Sequence, residues 1–507
     1  MAETLVDLLA PHPDAAPAIG APGRDWMSYG ALRAQAGKVR AGLAAAGIGA
    51  ADRVAIVLPN GPEMAAAFVA VASGCCAAPL NPAYKEDEFD FYLSDLGAKA
   101  IILAEGEEGP AASAAMKRGL RVVRLTPEAA GPAGAFSLDL GGAGEGPAAG
   151  PDAVGLVLHT SGTTSRPKIV PLLQRNLAAS ARHIGAALAL GAEDRCLNMM
   201  PLFHIHGLVA ATLSSLAAGG SVWCAPGFDA LKVFGWFGEA APSWYTAVPT
   251  MHQAILARAA RNAEAVAAMD LRLIRSSSAS LPPQVMTALA DTFGCPVVES
   301  YGMTEAAHQM TSNPLGEGAQ RPGSVGVAAG PQVMTASEIS DEILAPGSLG
   351  EVVISGPNVT PGYEANPEAN AKNFFEANGK RWFRTGDQGR FDEEGYLRIT
   401  GRLKEIINRG GEKVSPLEVD EVLMDHPAVA QAVTFAIPHA KLGEEVGAAV
   451  VLREGAEADE AGVRAFVRER LAEFKTPRKV VILDEIPKGA TGKLQRIGLA
   501  EKLGLAS

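Results

Sequence analysis

From residue 50 onward, short aliphatic and β-branched runs alternate with Ala-rich stretches of helical spacing. Residues 53–58 (RVAIVL), 100–103, 121–125 and 154–158 read as strands, as do 221–225, 244–248, 271–275 and 297–300. Residues 62–73, 172–190, 251–259 and 283–293 read as helices between them. This alternation predicts an α/β fold with covered, mostly parallel sheets. The longest apolar stretch, 64–80, contains Gly74 and lies between Pro62 and Pro82. It predicts a buried helix running into a strand, not a membrane span. Residues 126–150 are rich in Gly, Ala and Pro and predict a surface excursion.

The pattern changes near residue 340. Residues 350–355 and 396–400, with turn-rich segments between them, predict a β-rich antiparallel region. After Gly401-Arg402 a more charged unit begins, with helices expected at 416–424 and 460–471 and strands at 431–436, 447–452 and 480–483. The expected architecture is a large N-terminal domain, 1–402, of parallel and mixed sheets with flanking helices and a β-rich subdomain. A small α+β domain, 403–507, follows it; about 100 residues is a common domain size.

Composition narrows the function. The 507 residues are 48% apolar and 20% charged, a globular balance. With 44 basic and 56 acidic residues the net charge is −12, and no Lys/Arg-rich run offers a nucleic acid a footprint. Cys75 and Cys76 are adjacent, while Cys196, Cys224 and Cys295 are scattered without metal-ligand spacing. The first ten residues carry Glu3 and Asp7 and no basic n-region, and Leu505-Ala506-Ser507 is not a peroxisomal tripeptide. The expectation is a cytoplasmic protein without membrane or nucleic-acid partners, monomeric or homodimeric, acting on small molecules.

Five segments carry chemistry. Residues 158–168 (LHTSGTTSRPK) place hydroxyls and a glycine after a strand and, by the helical pattern from 172, before a helix. Free backbone N–H groups and Lys168 suit a polyphosphate. This is not a Walker A loop, since no second glycine or trailing Ser/Thr follows the usual spacing. Ser300-Tyr301-Gly302-Met303-Thr304-Glu305 sets a carboxylate beside a hydroxyl, as a magnesium ion on phosphate oxygens requires. Thr304 as a plain helix cap is the alternative. Asp387, in FRTGD (383–387), could accept ribose hydroxyls or simply close a turn. Gly401 to Lys413 marks a candidate hinge. Lys493, in the glycine-bearing loop PKGATGK (487–493), could neutralise charge on a phosphate, or be a solvated tail lysine.

Taken in this order, the segments resemble the adenylate-forming superfamily of acyl-CoA synthetases, peptide-synthetase adenylation domains and luciferases, over nearly the whole chain. Within it the chain looks most like oxalate–CoA ligases. The marks are HTSGTTSRPK, PLFHIHGL (201–208), WYTAVPTMHQ (244–253), RSSSASL (275–281), MTEAAHQMTSNPL (303–315) and NRGGEKVSP (408–416). The resemblance implies acid, ATP and coenzyme A as substrates, Mg²⁺ as cofactor, and a C-terminal domain that rotates about Lys404. It implies that Thr160, Ser161, Gly162, Thr163, Thr164 and Lys168 hold phosphates, that Glu305 ligates Mg²⁺ and that Thr304 contacts the α-phosphate. Ser278, Ala279 and Ser280, with Glu299, Ser300, Tyr301 and Gly302, would frame the adenine. Asp387 and Arg402 would bind ribose, and Lys493 would bridge carboxylate and ribose oxygens during adenylation. Rotation would then bring Arg409, Gly410, Gly411 and Glu412 to the CoA channel, with His204 as gate.

Ser165-Arg166, standing where most relatives carry Gly-X, belongs to the marks of the oxalate-ligase likeness. Two positions depart from the family pattern: Ile169 replaces a usual glycine and is expected to stiffen the loop, and Gly302 replaces an alanine frequent in close oxalate enzymes, a small change. For the acyl pocket, His206, Ser276, Ser277, Ser278 and His308 are polar where a hydrocarbon tail needs apolar walls. That favours a very short acid with a second carboxylate, and oxalate first. Ser300 stands where malonate enzymes typically carry arginine, which counts against malonate. The competing substrates are medium-chain, fatty or 4-coumarate-type acids. A carrier-protein acceptor and a non-catalytic nucleotide sensor are the other competing readings.

Overall fold

The computed structural model describes residues 3–160, 167–488 and 494–506. Among them the strands form four sheets. Two large sheets build the N-terminal part. In one, Pro17–Ala21, Ser221–Cys224, Arg195–Asn198, Trp244–Ala247, Leu273–Ser277 and Val297–Met303 run parallel side by side. Antiparallel strands, Arg24–Ser28 at one edge and His308–Ser312 then Val327–Ala328 at the other, close it. In the second sheet, Arg121–Pro127, Ala100–Ala104, Arg53–Val57, Cys76–Pro79 and Val154–Thr160 are parallel. Antiparallel strands flank this sheet as well. Buried parallel strands must be apolar on both faces, which is why these segments read as continuous runs and not alternations.

The helix Pro62–Ala72 has every residue from Met64 onward buried. Its chain then turns into Cys76–Pro79, the buried helix-to-strand passage expected from the sequence. Pro62 at the first helical position costs no backbone hydrogen bond. Gly350–Ser355 belongs to the antiparallel sheet expected beyond residue 340, together with Gln332–Ala336, Lys380–Phe391, Phe374–Ala377 and Leu397–Arg402. The smaller C-terminal sheet holds Glu412–Val414, Ile407–Arg409, Gly443–Leu452, Val429–His439 and Lys479–Ile482, backed by helices Pro416–Met424 and Glu460–Arg468.

Three sequence expectations need correction. The helix expected from residue 172 begins at Gln174, because Lys168–Leu173 is a strand paired antiparallel with Val154–Thr160. The 126–150 excursion contains a short strand, Phe136–Leu138, paired with Arg121–Pro127. The N-terminal helix Tyr29–Ala45 was not anticipated, although Leu32, Ala36, Val39 and Leu43 lie at helical spacing on its buried face. No described helix is long and apolar enough to cross a membrane.

Candidate active site

The polar clusters gather where parallel strands of the first sheet end. The carboxyl end of Arg195–Asn198 leads to His204 and His206, that of Leu273–Ser277 to Ser278, and that of Val297–Met303 to Thr304 and Glu305. In parallel sheets this edge is where loops diverge and leave a crevice.

The first cluster surrounds Glu305. The segment Thr304–Ala306 is a single tight turn between Val297–Met303 and His308–Ser312, so Thr304 does not cap a helix. Glu305 is buried, and the Tyr363 hydroxyl donates to its Oε1 at 2.8 Å. Burial pushes the carboxyl up, against the opposing effects of Tyr363, Arg402 and Lys168. The Lys168 ammonium sits 4.3 Å from the Tyr363 ring centroid. Burial lowers the Lys168 pKa, Glu305 opposes that, and nearby Lys404 and Lys372 add to it. Thr160 pairs with Lys168 at the mouth of the hairpin. Ser161, Gly162, Thr163, Thr164, Ser165 and Arg166 lie outside the described residues, as does Lys493.

Because a strand follows Lys168, the next helix in sequence does not begin at this hairpin mouth. The next helix starts six residues on at Gln174, roughly 20 Å along an extended strand. The following helix therefore contributes no dipole at the mouth itself. Ile169 takes its place in the ladder opposite His159 and is buried in the core of the second sheet. A β-branched side chain there suits a half-buried strand, which the usual glycine would weaken.

The second cluster surrounds Asp387. Arg402 Nε donates to its Oδ1 at 2.9 Å, and the Tyr301 hydroxyl donates to its Oδ2. Asp387 raises the Arg402 pKa further, while burial, followed by Asp387, raises that of Tyr301. Arg402 acts electrostatically on Glu305 and Tyr363, so the two clusters adjoin.

Of the residues expected to frame adenine, Ala279 and Ser280 stand at the surface of the turn after Leu273–Ser277. Glu299 and Ser300 turn inward instead. Glu299 Oε1 accepts from the Leu281 N–H at 2.8 Å, while its Oε2 is buried without a partner. Burial pushes its pKa up to about 8. Ser300 Oγ meets Ser312 Oγ at 3.1 Å. These two side chains hold the frame from behind.

The third cluster is the acyl side. His206 begins a buried π-helix, His206–Leu213. Its Nδ1 lies 3.0 Å from Ser278 Oγ and its Nε2 2.6 Å from Thr246 Oγ1. The His206 and His308 ring centroids are 5.1 Å apart. Ser278, Ala307 and His308 adopt left-handed φ of 74°, 46° and 95°. Such backbone is strained for non-glycine residues and fixes where these side chains sit. Ser276 and Ser277 do not join them: Ser276 is fully buried and Ser277 donates to the Ser300 carbonyl. His204 is half-buried, tilted against the neighbouring Phe203 ring at 4.7 Å.

Beneath this cluster lies Arg275, which sequence reasoning passed over. Its NH1 is 3.5 Å from His206 Nε2 and 3.3 Å from Thr246 Oγ1; its NH2 is 3.5 Å from His308 Nδ1 and 3.3 Å from Gln309 Oε1. The available signal was an arginine directly after the apolar pair Leu273-Ile274 in a buried strand. Tyr363, also missed, had no such signal. Gly302 corrects another expectation. A Cβ there would meet the His308 carbonyl oxygen at 1.9 Å and His308 Nδ1 at 2.7 Å, so a change to alanine is not small in this chain.

The residues expected at the CoA channel form one hairpin. Gly410 and Gly411, with φ of 60° and 97°, link Ile407–Arg409 to Glu412–Val414 in a two-residue turn with both φ positive. Arg409 Nε donates to Glu445 Oε1 at 2.5 Å. Lys404 lies exposed between this hairpin and Leu397–Arg402.

The AMP-binding enzyme family matches residues 8–364, and the AMP-binding enzyme C-terminal domain matches 418–493. The chain is 47% identical to the oxalate–CoA ligase of Arabidopsis thaliana, over 89% of this chain and 88% of that protein. It is 36% identical to the sulfoacetate–CoA ligase of Cupriavidus necator, over 93% and 92%. Among solved structures, ATP-bound MatB from Rhodopseudomonas palustris is 32% identical and superposes with a TM-score of 0.89, covering 99% of each chain.

Proposed function

This chain belongs to the AMP-binding, adenylate-forming enzymes and is an acid–CoA ligase, and from that premise we propose that its acid is oxalate. The overall reaction joins an acid to coenzyme A through an acyl-adenylate. The acid's carboxylate oxygen attacks the α-phosphorus of ATP and expels pyrophosphate. The CoA thiolate then attacks the acyl carbon, and AMP leaves. Both halves bring anions together, so positive charge and hydrogen-bond donors must stand where negative charge builds.

Lys168 and the hydroxyl-rich segment 160–164 are assigned to the phosphates, and Thr304 to the α-phosphate. Asp387 and Arg402 are assigned to the ribose, and Ser278 to Ser280 with Tyr301 and Gly302 to the adenine. Glu305 fits a magnesium ion, since one carboxylate plus substrate phosphates is a usual ligand set, and the ion would neutralise phosphate charge. Lys493 is assigned to adenylation, His204 to gating, and Arg409 to Glu412 to coenzyme A.

The observation that carries oxalate is the acyl side itself. His206 Nδ1 lies 3.0 Å from Ser278 Oγ and the His206 and His308 rings are 5.1 Å apart, so three polar side chains gather on the acyl side. A hydrocarbon there would face unpaired polar groups, whereas a second carboxylate would be met by donors. The same feature favours sulfoacetate as the second reading. Medium-chain and aromatic acids are disfavoured by it. The test is pyrophosphate release by purified protein with ATP, Mg²⁺ and CoA across a panel of acids. Oxalate is expected to give the highest kcat/KM. A higher value for a medium-chain or aromatic acid overturns the assignment.

A further inference from the structure

Arg275 is fully buried in the middle of Leu273–Ser277, and its side-chain contacts are to two imidazoles, a hydroxyl and an amide, none of them a carboxylate. Its contacts with Thr246, His206, His308 and Gln309 span 3.3–3.5 Å, the outer limit of hydrogen bonding. Its Nε is buried without a partner. Among the described residues no carboxylate pairs with it, and the internal stretches 161–166 and 489–493 contain no Asp or Glu. A charge held in the interior is ordinarily paired, because the interior does not solvate it. Here the protein supplies the cation and leaves the anion to come from elsewhere. The face of the guanidinium's neighbours that points away from it is the acyl side.

We propose that Arg275 is the fixed counter-charge for a second anionic group on the acid, acting through His206 and His308, and that it thereby sets a preference for dianionic over monoanionic acids. The proposal rests on the acyl-pocket assignment above, but it does not require the acid to be oxalate. A guanidinium only donates, so His206 Nε2 and His308 Nδ1 must accept. In that arrangement the proton of each ring stands on the other nitrogen. For His206 that is Nδ1, the atom 3.0 Å from Ser278 Oγ. A second proton on either ring would add a positive charge against the guanidinium. The pocket therefore offers N–H and O–H donors backed by one permanent charge. Arg275 is a positioning residue in this scheme, since two imidazoles and a threonine stand between it and the pocket.

The test compares wild type with Arg275→Met, Arg275→Gln and Arg275→Lys. The acids are oxalate and oxamate, in which a neutral amide replaces one carboxylate at nearly the same size. Pyrophosphate release gives kcat/KM for each acid, with the KM for ATP and the melting temperature measured alongside. Wild type is expected to prefer the dianion. Arg275→Met and Arg275→Gln are expected to lower the oxalate-to-oxamate ratio by roughly 10–100-fold, mostly in KM for the acid, with the KM for ATP within about twofold. Arg275→Lys is expected to keep part of the ratio. Equal losses for both acids, or an unchanged ratio in any folded neutral variant, overturn the proposal. Should neither neutral variant fold, Arg275→Lys decides: a partly retained ratio supports the proposal, and a ratio equal to one overturns it. If wild type ignores oxalate but prefers sulfoacetate to a monoanionic acid of similar size, the oxalate assignment falls and the role of Arg275 stands. If wild type prefers acids with uncharged tails, both fall.

Discussion

Glu299 carries a carboxyl that the fold prefers to keep protonated. Its Oε1 accepts from the Leu281 N–H, its Oε2 has no partner, and burial sets its pKa at about 8 against an ordinary 4.5. Below pH 4.5 both folded and unfolded chains hold the proton, and nothing is lost. Between 4.5 and 8 the unfolded chain releases it while the folded chain does not. Stability therefore falls as pH rises through that window, by about 1.4 kcal/mol per pH unit at most. Glu299→Gln keeps the Leu281 acceptor and removes the charge. Urea unfolding midpoints at pH 5 and pH 8 are expected to differ less in this variant than in wild type. Gly302→Ala makes the opposite kind of change, adding an atom where the His308 backbone leaves no room. It is expected to cost about 1–3 kcal/mol of stability. It should also raise the KM for the acid more than that for ATP, since His308 must move. Steady-state kinetics with each substrate varied in turn would check this. The motif residues were legible because hydroxyls, glycines and carboxylates in short runs state their chemistry locally. Arg275 was not, because its neighbours come from a π-helix and two strands distant in sequence, and only the fold assembles them.

The phosphate hairpin makes the same point for whole elements. Runs such as 53–58 and the helix Pro283–Phe293 were legible because a buried strand or an amphipathic helix announces itself by composition or spacing. Lys168–Leu173 was hidden because Pro171 and two leucines blend into the helical pattern that follows, and only its pairing with Val154–Thr160 makes it a strand. Ile169 shows what that strand needs. In a loop the usual glycine would add freedom, but opposite His159 in a ladder it would remove a buried side chain and weaken the strand. Ile169→Gly is therefore expected to lower the melting temperature and raise the KM for ATP together. Ile169→Val, a smaller loss of about 0.5–1.5 kcal/mol, should leave the KM for ATP nearly unchanged. A differential scanning trace and an ATP titration on both variants would separate stiffness from packing.

At the scale of the molecule, the small C-terminal sheet meets the large N-terminal part through polar contacts and shares one buried apolar cluster with it, in which Val285, Met286 and Leu289 stand with Ile407, Val419 and Leu423. Lys413 Nζ lies 3.1 Å from Glu338 Oε2, Arg398 pairs with Glu421, and Gln284 donates to Asp425. Partly exposed pairs of this kind are individually weak, so the main cost of exchanging this interface for another lies in the shared apolar cluster. The connection between the parts is short and structured. The Leu403 N–H donates to the Gly386 carbonyl at 2.9 Å, and Glu405 and Ile406 donate back to Arg402. The Lys404 amide enters no backbone hydrogen bond among the described residues, but the Glu405 and Ile406 bonds to Arg402 span it, so a rotation centred there would break both. Proline at 404 would itself remove no backbone hydrogen bond and so cost little in this arrangement, but would fix φ near −65° and restrict Leu403 as well. If the hinge lies at Lys404, Lys404→Pro is expected to slow one half-reaction far more than the other. The TM-score of 0.89 with an ATP-bound relative favours adenylation as the half that survives. Pyrophosphate release in a single turnover should persist, while thioester formation from supplied acyl-adenylate should fall by at least about tenfold. Lys493→Ala is expected to give the mirror image, losing adenylation and sparing thioester formation. Equal loss of both halves in both variants would mean that one fixed arrangement serves the whole reaction.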